Sequence, residues 1–159
     1  SSDLAVTRLT NPITHEHTVL RQNVLPALLR MLAANRHHEL PQRVFELGTV
    51  VRDHRNEERV VWAAAEVGGG FTAAKGMAQA LLRDLGAHAQ GLEVRFEALR
   101  EGDGPYLHGR GAKVYIADEW VGCIGEVDPA LADEFELRVP IQAGEFDVGM
   151  LGRLIPDPV

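Results

Sequence analysis

Between Arg43 and Val67 two apolar segments, Arg43–Arg52 and Val60–Val67, are separated only by the polar stretch Asp53–Glu58. Parallel neighbours in a sheet need a crossover of a dozen or more residues, so a connection this short permits only antiparallel pairing. The same restriction acts again where Ala112–Ile116 and Trp120–Gly125 flank Ala117-Asp118-Glu119, the pattern of a second hairpin. Helical segments fall between the strands without regular alternation. Together these features predict an α+β domain with a mostly antiparallel sheet flanked by helices.

The helices carry their own signals. Asn23 ahead of Val24-Leu25-Pro26 has the pattern of an N-cap with proline in the first turn. Leu25, Leu28, Leu29 and Leu32 recur at helical spacing and predict a helix to about Asn35 with one apolar face. Upstream, Leu4–Leu9 suits a short strand, Asn11-Pro12 a chain reversal and Thr14–Arg21 a helical turn or more. Gly48 inside the first hairpin strand suggests a bulge. After Gly68-Gly69-Gly70, Thr72 is expected to cap a helix with Ala74, Met77, Ala78, Leu81 and Leu85 on one side and Gly86 at C′. Leu92–Leu99 alternates as a strand, and Glu101–Gly111 has the composition of a glycine-rich loop. Asp128-Pro129 opens a short helix through Phe135, and Pro140–Phe146 forms a last strand.

At 159 residues, 45% hydrophobic and 25% charged, the chain can enclose one core without staples. Its formal net charge of −7 argues against the domain as a whole clamping nucleic acid, which would need a concentration of Lys and Arg, and leaves only a local basic face. Cys123 stands alone, so neither an internal disulfide nor a thiol zinc site can form, which favours a reducing, cytoplasmic setting. No apolar run approaches the roughly 18 residues of a membrane span. Because the chain opens Ser1-Ser2-Asp3 without methionine and is already strand-like at Leu4, it is expected to be part of a longer protein.

Four stretches, taken together, carry a family likeness: Asn11-Pro12-Ile13 running into Leu20-Arg21 and Leu25-Pro26-Ala27-Leu28-Leu29; Val44-Phe45-Glu46-Leu47-Gly48; Phe71-Thr72-Ala73-Ala74-Lys75-Gly76; and Ile124-Gly125-Glu126-Val127-Asp128-Pro129. In this order and spacing the chain resembles the C-terminal catalytic-like module of phenylalanyl-tRNA synthetase beta subunits of the archaeal and eukaryotic branch. The resemblance implies that residues 1–159 form one catalytic-like domain with a class II aminoacyl-tRNA synthetase-like fold. It implies a parent enzyme that joins phenylalanine to its tRNA using ATP and magnesium, with the active site in the alpha subunit. It further implies that this module is a non-catalytic copy, pairing with alpha in a heterotetramer of two alpha–beta units, and that tRNA is met through the whole enzyme. Editing and the beta subunit's magnesium-binding segment belong, on the same resemblance, to other parts of the subunit.

The residues support that reading chemically. A class II active site needs an arginine on its motif 2 strand, because a planar cation must hold the ATP α-phosphate where charge develops. Here Phe45-Glu46-Leu47 occupies the corresponding centre, and Glu46 would repel a triphosphate. Arg43 and Arg52 flank it as solvated or paired cations. Gly149-Met150-Leu151-Gly152-Arg153 resembles the glycine-rich motif 3 only locally and is taken as ordinary structure. No residue is therefore assigned a catalytic, cofactor-binding or metal role.

Other candidates reduce to ordinary roles. His15-Glu16-His17 and His37-His38 lack the spacing of four that places two ligands on one helix face. His108, beside Gly109-Arg110-Gly111, is the most site-like histidine, but no nucleophile or carboxylate accompanies it in sequence. The same segment lacks the lysine and hydroxyl of a phosphate loop. Lys75 suits a stem covering apolar surface, and Cys123 in an apolar strand suits a small hydrophobe. The adjacent pairs Asp133-Glu134 and Glu57-Glu58 cannot face one another across a substrate and are expected on solvated surface. Arg52-Asp53-His54-Arg55 and Arg36-His37-His38 are the local basic turns that a tRNA contact would use.

Overall fold

The computed structural model describes residues 24–52, 54–100 and 104–156. The expected strand at Leu4–Leu9, the turn at Asn11-Pro12, the helical segment Thr14–Arg21, the His15-Glu16-His17 cluster and the cap at Asn23 lie outside the described residues. In chain order the elements are α1 (Leu25–Ala34), β1 (Gln42–Arg52), β2 (Arg55–Ala65), α2 (Phe71–Asp84), β3 (Val94–Ala98), β4 (Tyr106–Ile116), β5 (Glu119–Val127), α3 (Pro129–Glu134), β6 (Ile141–Asp147) and α4 (Val148–Leu154). The six strands form one sheet in the order β1-β2-β6-β5-β4-β3. Every neighbouring pair is antiparallel.

Each face of the sheet is covered by helices. On one, the leucines Leu25, Leu28, Leu29 and Leu32 of α1 are buried against Val61, Ala63 and Ala65 of β2 and Ile141 and Ala143 of β6, with Ala132 of α3 in the same cluster. On the other, Ala74, Ala78 and Leu82 of α2 and Leu151 of α4 pack over Trp62, Ile124, Val114 and Phe146. Trp62 and Phe146 stack with ring centroids 5.8 Å apart. The Trp62 ring lies directly over Gly144, where any Cβ would overlap its six-membered ring.

Several local expectations need correction. The register of β1 with β2 is unbroken from Gln42–Ala65 to Arg52–Arg55, so Gly48 makes no bulge. Its lack of a side chain instead admits Val24, whose Cγ2 would lie 3.1 Å from a Cβ there. The connection is shorter than expected: β1 continues to Arg52 and β2 begins at Arg55 rather than Val60, with His54 at φ 63°. Helix α1 has Val24 at its N-cap, without a side-chain cap bond. Helix α2 starts at Phe71 with Gly70 as N-cap, not Thr72, because the Gly70 N–H donates to the buried Gln142 Oε1 at 3.1 Å and holds the reversal two residues earlier. Leu82, not Leu85, completes the buried stripe: the chain leaves the helix at Leu85, which is 44% exposed.

Gly86 does sit at C′ with φ 103°; its N–H donates to Arg83 O at 2.9 Å and Ala87 N–H to Leu82 O at 3.0 Å, the paired bonds of a Schellman ending. Ala117 and Asp118, at φ 49° and 67°, form the two-residue turn of the β4–β5 hairpin. Asp128 caps α3 through Ala130 N–H at 2.9 Å, as its pairing with Pro129 predicts. The expected loop before Gly111 is largely strand, since β4 starts at Tyr106; five residue steps from Tyr106 to Gly111 oppose only two on β5, so the extra residues bulge outward. Helix α4 follows β6 immediately, capped by Asp147 Oδ1 accepting Met150 N–H at 2.9 Å.

Replacing Gly144 by alanine should destabilise the fold by about 1–3 kcal/mol through overpacking against Trp62. Adding Trp62→Phe should return part of that loss in urea unfolding midpoints, whereas additive losses would contradict this contact.

Candidate functional site

Directly paired residues in antiparallel strands point to the same face. The register therefore places Glu46, Val61, Glu145, Cys123, Lys113 and Glu97 in one row across all six strands. This is the face that α1 partly covers, and it carries Glu46, where the family resemblance would place the phosphate-holding arginine of an active enzyme. Glu46 is exposed there, opposite Val61.

Next to this row lies Arg59, paired in register with Gly48 and Asp147. Arg59 and Glu145 are each only 1% exposed, and Arg59 Nη1 is 3.6 Å from Glu145 Oε2. Arg59 Nη2 also donates to Glu57 Oε1 at 3.3 Å. One guanidinium is thus shared among carboxylates on a face that also presents Glu46. Burial strips these charges of water, so the pair holds β2 to β6 only while both members are present. An incoming polyphosphate would meet the carboxylates of Glu46 and Glu57; among the described residues the one buried cation, Arg59, is already engaged, and Lys113 in the same row lies over the Trp120 ring.

The other candidates are scattered. Arg43 is exposed on β1, and Arg52 ends that strand. His108 and Arg110 are exposed on the bulged part of β4 rather than in a loop. Lys75 on α2 lies over the Phe96 ring, 5.1 Å from its centroid. Cys123 is fully buried. Asp133 pairs with Arg138 at the end of α3. Glu57 departs from expectation: it belongs to β2 and pairs with Arg59 instead of lying on a solvated turn. Arg153 sits on α4 and donates to Met150 Sδ at 3.5 Å. Among the described residues no three His, Cys, Asp or Glu side chains are grouped as a metal site would require. His37 and His38, between α1 and β1, and His108, on β4, are exposed, whereas Cys123 is buried.

Arg59 and Gln142 were not singled out from sequence. Gln142, 0% exposed, accepts from Gly70 N–H and donates to Glu66, tying the Gly68–Gly70 reversal to β6. The available signal was a Gln and a Glu inside the apolar run Ile141–Phe146, positions where a polar side chain must find a partner.

A six-stranded antiparallel sheet with helices on both faces and a leading hairpin at its edge defines a class II aminoacyl-tRNA synthetase-like domain. In fold it is similar to the solved structure of Desulfitobacterium hafniense PylSc, a pyrrolysyl tRNA synthetase, with a TM-score of 0.59 at 17% identity over 80% of this chain and 47% of that one. Residues 1–148 match the family model described as phenylalanyl tRNA synthetase beta chain CLM domain. The phenylalanine–tRNA ligase beta subunit of Methanopyrus kandleri is 38% identical over 151 residues, 91% of this chain and 25% of the relative. That of Archaeoglobus fulgidus is 35% identical over 138 residues, 87% of this chain and 24% of the relative. The chain belongs to the phenylalanine–tRNA ligase beta-subunit family, and it spans about a quarter of the length of these curated relatives.

Arg59→Met alone should cost about 3–5 kcal/mol by stranding the Glu145 carboxylate, whereas Arg59→Met with Glu145→Leu should recover most of that stability. Chemical denaturation of the two variants checks this; equal losses would show that the pair is not a unit.

Proposed function

We propose that the chain is a non-catalytic core module of the phenylalanine–tRNA ligase beta subunit that supports assembly with the alpha subunit. The enzyme so assembled attaches phenylalanine to its tRNA using ATP and magnesium, in the cytoplasm, as a heterotetramer of two alpha–beta units. The carrying observation is the carboxylate-lined sheet face: Glu46 stands where the phosphate-holding cation is required, beside the buried Arg59–Glu145 pair. Such a face removes the electrostatic basis of adenylate chemistry and leaves the domain's surfaces as its contribution.

The α1 leucines are buried in this chain's own core and are unavailable to a partner. Edge strand β1 instead presents Phe45 and Leu47, 57% and 65% exposed, on the sheet face opposite Glu46. Neighbouring exposed apolar side chains on a strand rim are an aggregation hazard unless another chain covers them, and we assign them to the alpha contact.

A tRNA contact is the second reading, favoured by the tight β1–β2 turn, which gathers Arg52, His54 and Arg55 at one end of the sheet. It predicts a tRNA affinity that falls steeply with added salt.

Co-purification of this chain with the alpha subunit should give a stable complex in size-exclusion with light scattering. Phe45→Ser with Leu47→Ser should weaken it roughly tenfold or more, as loss of buried apolar anchors does. A folded chain that forms no complex, or a complex indifferent to both substitutions, would contradict the assignment.

A further inference from the structure

At the opposite end of the sheet from β1, helix α2 and strand β3 enclose a groove of about 310 Å³. Its floor is apolar, made by Leu82, Leu92, Val94 and Phe96. Its rim is made of donors: Gln79, Arg83 and His88 line it, and Lys75 lies over the Phe96 ring at its end. Lys75, Gln79 and Arg83 are spaced by four along α2 and so share one face of that helix. No acidic residue lines the groove. Among the described residues neither Lys75 nor Arg83 makes an ion pair. In a chain of net charge −7, an apolar trough bordered only by cations and neutral donors is selective for an anionic, partly apolar occupant.

The second property of the groove is its wall. Among the described residues β3 is the last strand of the sheet, and only its β4 side is paired. Its backbone on the other side is a template for one more strand, the arrangement by which an extended peptide is held between an edge strand and a helix.

We propose that this groove binds an extended acidic peptide segment as an added strand on β3, with the pattern acidic–x–apolar–x–acidic. The spacing follows from the two elements. Lys75 lies beside Phe96, while Arg83 is in the last turn of α2, next to the connection in which Leu92 N–H donates to Ala87 O and from which β3 starts, so α2 and β3 run in opposite directions along the groove. Eight helical residues advance about 12 Å, and four strand residues about 13 Å. Carboxylates four apart on the added strand therefore reach Lys75 and Arg83, and the side chain midway between them, on the same face, enters the apolar floor. Nucleic acid is the poorer match, because two cations over an apolar trough cannot follow a phosphate backbone.

Fluorescence anisotropy with a labelled Ser-Thr-Glu-Thr-Leu-Thr-Glu-Thr-Ser peptide tests this on the full chain. The peptide should bind saturably, at least about tenfold more tightly than the same peptide with lysine for both glutamates or aspartate for the leucine. Lys75→Glu with Arg83→Glu should weaken binding about tenfold or more, and the milder Lys75→Gln with Arg83→Gln should weaken it less. Arg43→Glu, on the far edge, should leave it unchanged. Amide exchange over Val94–Ala98 should slow on binding. Absence of saturable binding, equal binding of the lysine peptide, indifference to both α2 pairs of substitutions, or a preference for oligouridylate over peptide would overturn the proposal.

Discussion

Strand β6 is the seam on which the molecule depends. Among the described strands it comes last in the chain, yet it lies between β2 and β5 and joins the β1–β2 hairpin to the three-stranded β3–β4–β5 unit. A two-stranded hairpin alone is marginal in water, and this insertion joins the β1–β2 hairpin to the three-stranded unit as one sheet with two buried faces. Each residue of β6 answers a different neighbour. Gly144 makes room for Trp62, Phe146 stacks on it, and Glu145 faces Arg59 on the opposite side. Gln142 reaches across to pin the Gly68–Gly70 reversal from which α2 departs.

The same strand shapes what the module can do. In the proposed reading, the face bearing Glu46 is the counterpart of an adenylate site, and β6 contributes Glu145 to it. Glu57 and Glu145 both pair with Arg59, the one buried guanidinium among the described residues. A phosphate-binding surface would require the reverse balance. Relieved of that requirement, the sheet offers two rims of contrasting chemistry: an apolar one at β1, with Phe45 and Leu47, and a cation-bordered groove at β3.

Features encoded within a few residues were legible from the sequence: both hairpins, the Asp128-Pro129 cap, the Gly86 ending and the α1 leucine stripe. Their determinants are turn geometry, capping bonds and helical periodicity, all local. Misreadings occurred where a distant residue decides. Thr72 looked like the cap because nothing nearby reveals that Gln142, 72 positions away, accepts the Gly70 N–H. Glycines at 104, 109 and 111 obscured β4, whose start is set by pairing with β5, and glycines at 149 and 152 obscured α4. Glu46 stood out because a motif strand calls for the opposite charge, but Arg59, between the polar stretch Asp53–Glu58 and the strand expected from Val60, gave no local sign of burial against β6.

The most direct test of the central claim is titration of this chain with ATP and magnesium by calorimetry, paired with an ATP–pyrophosphate exchange assay. A carboxylate-lined face predicts no saturable ATP binding at millimolar concentration and no exchange. Saturable binding accompanied by phenylalanine-dependent exchange would contradict the account and restore this sheet face as a working adenylate site.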